Sequence, residues 1–531
     1  MRLSGVRTRS VSEKWEPSPA TTVMIWGATA RAARLLGARS GLLVRRAPSA
    51  AIGIVVALTL AGTTLRGQSD AVVTLAQAIN EALIKNDRIL NQRDAIEQSA
   101  LGLRLARNEF QPKVTPNILG SFGQTDVNSQ NYRVDVSQKL VTGTEFRVGA
   151  GTSTSQIPGT VAAGTSDIRF YNADTTFTLT QPILRGAGTA ITRRSLTSAE
   201  IRRADANRQE ALAEQQVAVE VAAAYYRVVA QQSFVEVARQ SLERARSLRD
   251  ASEAKLDVGL VSQLDVLRAQ QLVSQSEIQW FDAQSAIEDA RDRLTSLMRR
   301  ERSDTFAVES QIPRPDQEPV DVADAVASAI DHRLDLKSLI AGAADADLQV
   351  RFARNQLLPQ VDVNFAWTRR ETSETFARSF GLDRFQFATF FTIAMPVDRT
   401  PQIVGYQNAL IDRERRKREI GTLQRQIADD VKRAVRDRDR LLRSLAAAET
   451  SVDIGRKEVE VAKLRYERGL SNNLDVVTAE SSLLGAESRR IAALAESAVA
   501  RLSLRAMLGI LDPRKDIGGP APAVTGPARE P

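Results

Sequence analysis

The chain has 531 residues and no cysteine, and its 72 Lys and Arg outnumber its 64 Asp and Glu, which gives a net charge of +8. The absence of cysteine excludes disulfides, thiolate metal sites, a cysteine nucleophile and a lipidated N-terminal cysteine. The positive excess lies in residues 1–67, whose ten basic and two acidic residues leave 62 of each sign elsewhere. The remainder is therefore neutral, which argues against a nucleic-acid partner.

Residues 1–67 have the pattern of a secretory leader. A basic, acid-poor stretch precedes the apolar run Ala50–Leu60, and small and polar residues follow it. This order is typical of a cleavable signal peptide, and the run is too short to predict a transmembrane helix. We expect an exported protein that is not lipidated. An uncleaved N-terminal anchor stays an alternative.

The rest of the chain is a duplication. Three pairs of segments recur in its two halves: Val73–Ala82 with Val320–Ala329, Leu105–Pro112 with Phe352–Pro359, and Lys255–Val266 with Arg465–Val476. The first two pairs share an offset of 247 residues, and the third pair has an offset of 210. We therefore predict two repeats, 72–299 and 321–510. Between the matched segments the first repeat has 37 extra residues, of which 33 fall between Pro112 and Pro182. These extra residues form either an additional hairpin or a long extracellular loop.

Each repeat predicts a helix, a strand region and two long helices. Apolar residues at three- and four-residue spacing predict helices over 75–110, 190–257 and 262–299, and over 322–358, 403–467 and 473–509. Strand patterns fall within 113–184 and 361–397. A proline-containing linker, 300–320, separates the repeats, and a Pro- and Gly-rich tail, 511–531, is expected to be disordered.

The strand regions alternate apolar and polar residues, as in Val361–Trp367 and Thr176–Thr180. Together they hold 14 of the 26 aromatic residues of the chain. Such enrichment is typical of strands that face lipid and end at its interfaces. A soluble β-sandwich with a buried face stays an alternative. Two strands per repeat predict four per chain, which is too few to close a bilayer barrel, so three copies with 12 strands are required.

A motif, Gly-Leu-x-x-x-Leu-Asp-Val, follows the first long helix of each repeat, at Gly259–Val266 and Gly469–Val476. Glycine suits the left-handed conformation that ends a helix. Ser262 to Asp265, and Asn472 to Asp475, have the spacing of a capping box for the next helix. We therefore predict two helical hairpins with tight turns. From the residues alone, capping and dipole complementation are sufficient roles for both aspartates.

These features together resemble the TolC-type outer-membrane efflux family over about residues 72–510. The resemblance rests on three sets of residues: the Ala-Arg-Asn-x-x-x-Pro junctions at Ala106–Pro112 and Ala353–Pro359, the strand exits Thr180–Gly186 and Ala394–Val397, and the paired Gly-Leu turns. It implies a mainly α fold with membrane β structure. The expected assembly is a trimeric 12-stranded outer-membrane β-barrel, four strands per chain, continued by a long α-helical periplasmic barrel.

The resemblance implies a channel-tunnel that serves as the exit duct of a tripartite efflux or type I secretion system. Its expected partners are two further copies of the chain, a periplasmic adaptor (membrane fusion) protein, an inner-membrane transporter and outer-membrane lipid. The sequence contains no recognisable nucleophile–base set, metal cluster or phosphate loop, so we expect no enzyme, cofactor or metal. The alternative from another class is a periplasmic coiled-coil structural protein without a pore.

Carried over by motif position, the resemblance implies roles for three groups of residues: a pore-entrance ring (Asp475, Thr478), a gate link between entrance helices (Tyr466, Asp265), and adaptor-contacting tips (Gly259, Leu260, Gly469, Leu470). A ring of carboxylates in a constriction attracts cations and repels anions. Thr478 and Ser471 stand where the best-known member has an acidic residue and an arginine. The resemblance therefore leaves open the strength of cation selectivity and the details of the gate.

Overall fold

The computed structural model describes residues 72–121, 128–157, 168–301, 306–315, 318–380 and 385–516. These ranges all fall within one compact unit, Gln68–Pro531. The predicted leader, 1–67, lies outside the described residues, and so does the part of the predicted tail that follows residue 516.

The described elements follow the order expected for two repeats. In the first half they are β1 (Val72–Val73), α1 (Leu75–Lys85), α2 (Asp87–Asn108), β2 (Lys113–Ser121), β3 (Asn128–Lys139), β4 (Glu145–Ile157), β5 (Ile168–Pro182), α3 (Thr189–Thr192), α4 (Arg194–Asp257) and α5 (Gln263–Met298). In the second half they are β6 (Ala307–Val308), α6 (Val322–His332), α7 (Leu334–Asn355), β7 (Gln360–Ser373), β8 (Phe385–Ala394), α8 (Thr400–Glu467), α9 (Asn473–Met507) and α10 (Pro513–Asp516).

The first helical segment of each repeat is broken in two. The single helices predicted over 75–110 and 322–358 are wrong in this respect, because Asn86 and Arg333 have extended backbones, with ψ of 132° and 124°. The Asn86 side chain accepts a hydrogen bond from the Arg88 N–H at 3.0 Å and so begins a new helix. Helices α6 and α7 begin and end 247 residues after α1 and α2, which matches the offset of the sequence repeat.

The strand regions form one antiparallel sheet of six strands, in the order β2-β3-β4-β5-β7-β8. The prediction of four strands per chain is wrong. The extra residues of the first repeat form the hairpin of β3 and β4, which is inserted between β2 and β5. Strand β4 is rich in Gly, Ser and Thr, so its apolar alternation is weak and the sequence pattern does not reveal it.

The two faces of this sheet differ in polarity. The pairing register places these apolar residues on one face: Val114, Ile118, Val134, Val136, Phe177, Leu179, Val363, Phe365, Trp367, Phe387, Phe391 and Ile393. The opposite face carries polar residues: Arg133, Asp135, Asp174, Thr176, Asn364 and Thr392. Every residue of β8 is exposed in the chain. The apolar face is thus largely uncovered at that edge.

The long helices pack in pairs, α4 against α5 and α8 against α9. The main core surrounds the small-residue part of α4, where Val217, Val221 and Val228 are fully buried. The Tyr225 hydroxyl donates to the Val73 carbonyl at 3.1 Å and accepts from the Glu309 N–H at 3.2 Å. Burial raises the pKa of this hydroxyl. Tyr225 therefore attaches α4 to the small parallel sheet of β1 and β6.

Parts of the predicted linker and tail belong to the fold. Strand β6 lies within 300–320 and pairs with β1. At the start of the predicted tail, Leu511 and Pro513 are buried, and α10 follows. Both segments cover the end of the main core, so the packed structure extends past the boundaries that composition suggests.

None of the helices within the described ranges has an apolar stretch long enough to cross a bilayer.

Candidate functional site

Two helical turns join α4 to α5 and α8 to α9. Each long helix ends at a glycine with positive φ, 76° at Gly259 and 66° at Gly469. In both turns the following leucine donates its N–H to the carbonyl five residues earlier, at 2.8 Å, which is the Schellman pattern. The predicted glycine stops are confirmed. Leu260 and Leu470 are 74% and 73% exposed, so both predicted tips present an uncovered apolar side chain.

At the first turn, Ser262 and Asp265 form the predicted capping box. The Ser262 side chain accepts from the Asp265 N–H at 3.3 Å, and the Asp265 carboxylate accepts from the Ser262 N–H at 3.1 Å. The Ser262 hydroxyl donates to the same carboxylate at 2.8 Å. Arg268 lies 3.6 Å from the other carboxylate oxygen. Asp265 is only 9% exposed, and its charge is compensated within the turn.

At the second turn, the corresponding bonds differ. The Asn472 side chain accepts from the Leu474 N–H at 3.2 Å, and the expected capping box is not completed. Asp475 is exposed, and within the described ranges its carboxylate has no hydrogen bond or ion pair. Thr478 is also exposed, and its hydroxyl donates to the Leu474 carbonyl at 2.8 Å. The two predicted ring residues therefore lie one turn apart on an open side of α9.

Tyr466, the first predicted gate residue, is buried and held by α4. Its hydroxyl lies 2.8 Å from the Ser252 hydroxyl, which itself donates to the Leu248 carbonyl, so Tyr466 is the donor. The Lys255 ammonium lies 3.9 Å from the centre of the Tyr466 ring and donates to the Tyr466 carbonyl at 2.6 Å. This set of contacts connects the C-terminal ends of the two long helices.

Asp265, the second predicted gate residue, does not hydrogen-bond to Tyr466 in the described part of the chain. Its backbone carbonyl accepts a hydrogen bond from the side-chain amide of Asn473, which is fully buried on α9. Hydrogen bonds therefore join the two helical hairpins through Tyr466 and Ser252, between α8 and α4, and through Asn473 and Asp265, between α9 and α5. The gate role of both predicted residues stays a prediction.

A buried carboxylate close to these links was missed by the sequence reasoning. Glu480 on α9 is 3% exposed and lies 2.6 Å from Arg244 of α4 and 3.0 Å from Lys463 of α8. It neighbours the buried apolar residues Val476 and Leu483 on α9. The only sequence signal is a carboxylate among these apolar positions, because its partners are distant in the chain. Glu480 thus connects three helices by charge.

No group of three Asp, Glu or His side chains in the described ranges is placed to hold a metal ion. What the two turns offer chemically is therefore charge, hydrogen bonding and exposed apolar surface. One turn has its carboxylate enclosed, and the other leaves its carboxylate free in solvent.

Similar structures share this architecture. VceC, an outer membrane protein of Vibrio cholerae, has a TM-score of 0.63 at 17% identity, over 82% of this chain and 96% of that one. The CmeC outer membrane channel of Campylobacter jejuni has a TM-score of 0.63 at 14% identity, over 83% and 87%. The open state of the MtrE outer membrane channel of Neisseria gonorrhoeae has 0.58 at 17% identity, over 82% and 89%. At these identities the likeness shows the fold. No curated protein matches the chain significantly.

A family match defines the relationship more closely. Residues 78–298 and 325–510 match the family described as outer membrane efflux protein. These two segments fall within the two predicted repeats and make up most of the chain. The resemblance to TolC-type outer-membrane efflux channels is therefore confirmed, and with it the assignment to outer-membrane efflux and transport. The chain belongs to the outer membrane efflux protein family.

Proposed function

We propose that this protein is the exit duct of a tripartite efflux or type I secretion system. Three copies form a channel-tunnel in the outer membrane and receive small molecules or polypeptides from an inner-membrane transporter through a periplasmic adaptor. The observation that carries the proposal is the uncovered apolar face of the sheet, where Phe387, Phe391 and Ile393 are 70%, 70% and 72% exposed. Such a surface requires lipid or another apolar partner.

The sheet and the helices together favour a duct over a pore-free coiled coil. Strands β2 and β8 each have one neighbour in the described sheet, so both edges are open to further strands. Helix α4 has 64 residues and is about 96 Å long at 1.5 Å per residue, far more than a bilayer needs. A structural periplasmic coiled coil requires the rods but not an apolar, open-edged sheet.

Asp475 supports an ion-selective entrance at the end of the long helices that is remote from the sheet. Its carboxylate is exposed and forms no ion pair within the described chain. In a trimer, three such carboxylates surround one axis, with Thr478 one turn further along α9. Like charges in a constriction concentrate cations and exclude anions. The entrance is therefore cation-selective, with a single charged ring from each set of three chains.

The links between hairpins support a gate. Tyr466 to Ser252, and Asn473 to the Asp265 carbonyl, hold the four entrance helices of one chain together. The entrance opens when these links break and the helices separate. The exposed Leu260 and Leu470, each beside its glycine, provide the apolar tips that meet the adaptor.

The test combines particle mass with ion conductance. The mature protein, extracted in detergent, is expected to be a trimer by light scattering and to form cation-selective channels in planar bilayers. Asp475→Asn should shift the reversal potential in a salt gradient toward zero, because it removes the ring charge. Asp331→Asn, which removes an exposed carboxylate from the short helix α6, is the matched control and should leave the potential unchanged.

One result would contradict the duct, and another would contradict only the role of Asp475. A water-soluble monomer or dimer without conductance would favour the coiled-coil structural protein. A trimer whose selectivity is the same in the natural protein and in the Asp475→Asn variant would keep the duct but remove Asp475 from the entrance ring.

A further inference from the structure

The inserted hairpin of β3 and β4 is paired on both sides with the rest of the sheet. Strand β3 pairs with β2 from Lys113 opposite Ser137 to Ser121 opposite Ser129. On the other side, β4 pairs with β5 over 145–157. Both flanking strands therefore use their backbone hydrogen bonds on the hairpin, which makes it part of the wall of the sheet.

A side-chain bridge holds the hairpin in that wall. The Arg133 guanidinium extends from β3 across β4 and lies 2.6 Å from the Asp174 carboxylate and 3.0 Å from the Thr176 hydroxyl, both on β5. It also pairs with Asp135 at 2.8 Å. A Cβ at Gly149, on the strand between, would lie 2.3 Å from this guanidinium. Glycine on β4 thus gives the arginine the room to cross.

The base of the hairpin is attached to the helices. Lys139, at the end of β3, pairs with Glu109 at 2.7 Å, and Gln138 donates to the Phe110 carbonyl at 3.1 Å. Glu109 also accepts from the Ser195 hydroxyl of α4 at 2.8 Å. The hairpin is therefore connected to the ends of α2 and α4.

The two open edges of the sheet are complementary to each other. Six strands with alternating direction leave β2 and β8 antiparallel, and they have nine and ten residues. Both carry their apolar residues on the same face of the sheet, with Val114 and Ile118 on β2, and Phe387 and Phe391 on β8. An exposed apolar edge strand is a template for another strand. Pro116 on β2 has no N–H, which removes one donor from that strand.

We propose that β8 of one copy pairs with β2 of the next, and that three copies close an 18-stranded barrel instead of a 12-stranded one. The proposal rests on the trimeric duct proposed above and gives the structure of its membrane end. Because barrel diameter grows about linearly with strand number, this wall is about 1.5 times as wide as a 12-stranded wall. Barrels of 16 to 18 strands enclose an aqueous channel. The lumen then carries the Arg133, Asp135 and Asp174 charges.

The strand number and width of the barrel can be compared with those of a variant from which the β3–β4 hairpin is removed. The hairpin begins beside the end of β2 and ends beside the start of β5, so removal of 128–157 lets residues 122–127 and 158–167 connect β2 to β5. Electron microscopy of detergent-extracted trimers is expected to show 18 strands in the full chain. Its barrel should be about 1.5 times as wide as that of the shortened chain.

The results separate this proposal from the duct itself. A full-length trimer with 12 strands in its wall, and the hairpin outside it, overturns the 18-stranded barrel but leaves the proposed duct in place. A full-length particle that is not a trimer overturns both. The full-length particle decides the question even if the shortened chain does not fold.

Disulfide trapping tests the junction directly, because the natural chain contains no cysteine. Thr389→Cys near the middle of β8 is combined in turn with Val114→Cys, Pro116→Cys and Ile118→Cys on the same face of β2. Oxidation should give covalent trimers on a denaturing gel for at least one pair. Thr389→Cys with Val136→Cys, on the inner strand β3, is the control and should give none. Absence of linked trimers from all three edge pairs overturns the junction.

Discussion

The two helical turns derive from one duplicated motif, yet they treat their aspartates in opposite ways. Asp265 and Asp475 are 210 residues apart, as are Arg268 and Thr478. At the first turn the carboxylate is enclosed in a capping box and paired with Arg268. At the second turn the arginine is replaced by threonine, and the carboxylate is exposed. The same sequence position therefore has a structural role in one repeat and presents a free charge in the other.

The capping residue accounts for part of this difference. Ser262 bonds to the third residue of its helix, which brings the Asp265 carboxylate back to the turn. Asn472 instead accepts from the second residue, Leu474, so nothing draws Asp475 inward. A motif match alone therefore does not assign a role to its aspartate. The residues at the cap and one turn later decide whether the charge is neutralised.

The largest expected effect comes from breaking the Tyr466 link between the helical hairpins and the side-chain bonds of Asp265 in the first turn. Tyr466→Phe removes the buried hydrogen bond to Ser252, and Asp265→Ala removes the hydrogen bonds between the Asp265 carboxylate and Ser262, each change being worth about 1 kcal/mol or more. Together they should favour the open entrance by about tenfold or more. Single-channel recording should show a corresponding rise in the time that the resting channel spends in high-conductance states.

The control is a buried tyrosine far from the turns. Tyr225→Phe removes the bonds to Val73 and Glu309 and should reduce stability without changing conductance. If the double variant conducts no better than the natural protein, the resting entrance is held closed elsewhere, and Glu480 with Arg244 and Lys463 becomes the next candidate.

A second prediction converts one turn into the other. Thr478→Arg places at the second turn the charge that Arg268 supplies at the first, and in a trimer it cancels the three Asp475 charges. Cation preference, measured as a reversal potential, should fall to nearly zero. Thr478→Gln adds length without charge and should change the potential little. Retained cation preference in Thr478→Arg would show that the selectivity does not arise at this ring.

The converse change should have no such effect. Arg268→Thr removes the positive charge that pairs with Asp265, but the Asp265 carboxylate stays buried within its capping box. Cation preference should therefore be unchanged. A rise in cation preference would mean that the first turn also lines the entrance.

The third prediction concerns the stability of the two turns. Asp265→Ala leaves the Ser262 cap bond in place but removes the hydrogen bonds between the carboxylate and Ser262. A hydrogen bond to a charged group is worth about 1.5–3 kcal/mol, whereas an exposed charge near a helix terminus contributes about 0.3–1 kcal/mol. Asp265→Ala should thus raise hydrogen exchange in the first turn of α5 by about tenfold. Asp475→Ala should raise exchange in α9 clearly less. Equal increases would contradict the difference between the two turns.

The sequence predicts the helical frame of this fold well, because long amphipathic segments and glycine stops are local signals. The breaks at Asn86 and Arg333 are less visible, since the apolar spacing continues through them. The sequence leaves open whether the extra segment of the first repeat is a hairpin or a long loop, because β4 lacks apolar alternation, and the structure shows the hairpin. Its support comes from Arg133 reaching β5 across glycine, a contact between residues 41 positions apart.

The candidate site is also predictable in part, because some of its features are local signals in the sequence. The turns, their glycines and the cap at Ser262 follow from local spacing. The partners of Tyr466 and Glu480 do not, because Ser252 and Arg244 lie more than 200 residues away in the chain. Contacts of this kind depend on how two hairpins pack together, and one sequence carries no periodic signal for them.

The smallest expected effect is a difference in acid sensitivity between the first helices of the two repeats, α1 and α6. Glu81 on α1 is bonded to Arg300 at 2.8 Å and to Lys85 at 2.8 Å, whereas its counterpart on α6, 247 residues later, is Ser328. Burial alone would raise the pKa of Glu81, but hydrogen bonds and charge from Arg300 and Lys85 outweigh burial and lower the pKa below 4.5.

Because this pKa is lowered in the folded protein, the pairing contributes its full stabilisation above about pH 4.5 and loses it as pH falls through the lowered value. Hydrogen exchange in α1, corrected for the intrinsic rate, should therefore rise by a few-fold on acidification, while α6 changes less. Glu81→Gln should remove the difference between the two helices. If α1 and α6 respond equally to acid in the natural protein, the pairing of Glu81 does not stabilise α1 measurably, and the two repeats differ at their turns but not at their first helices.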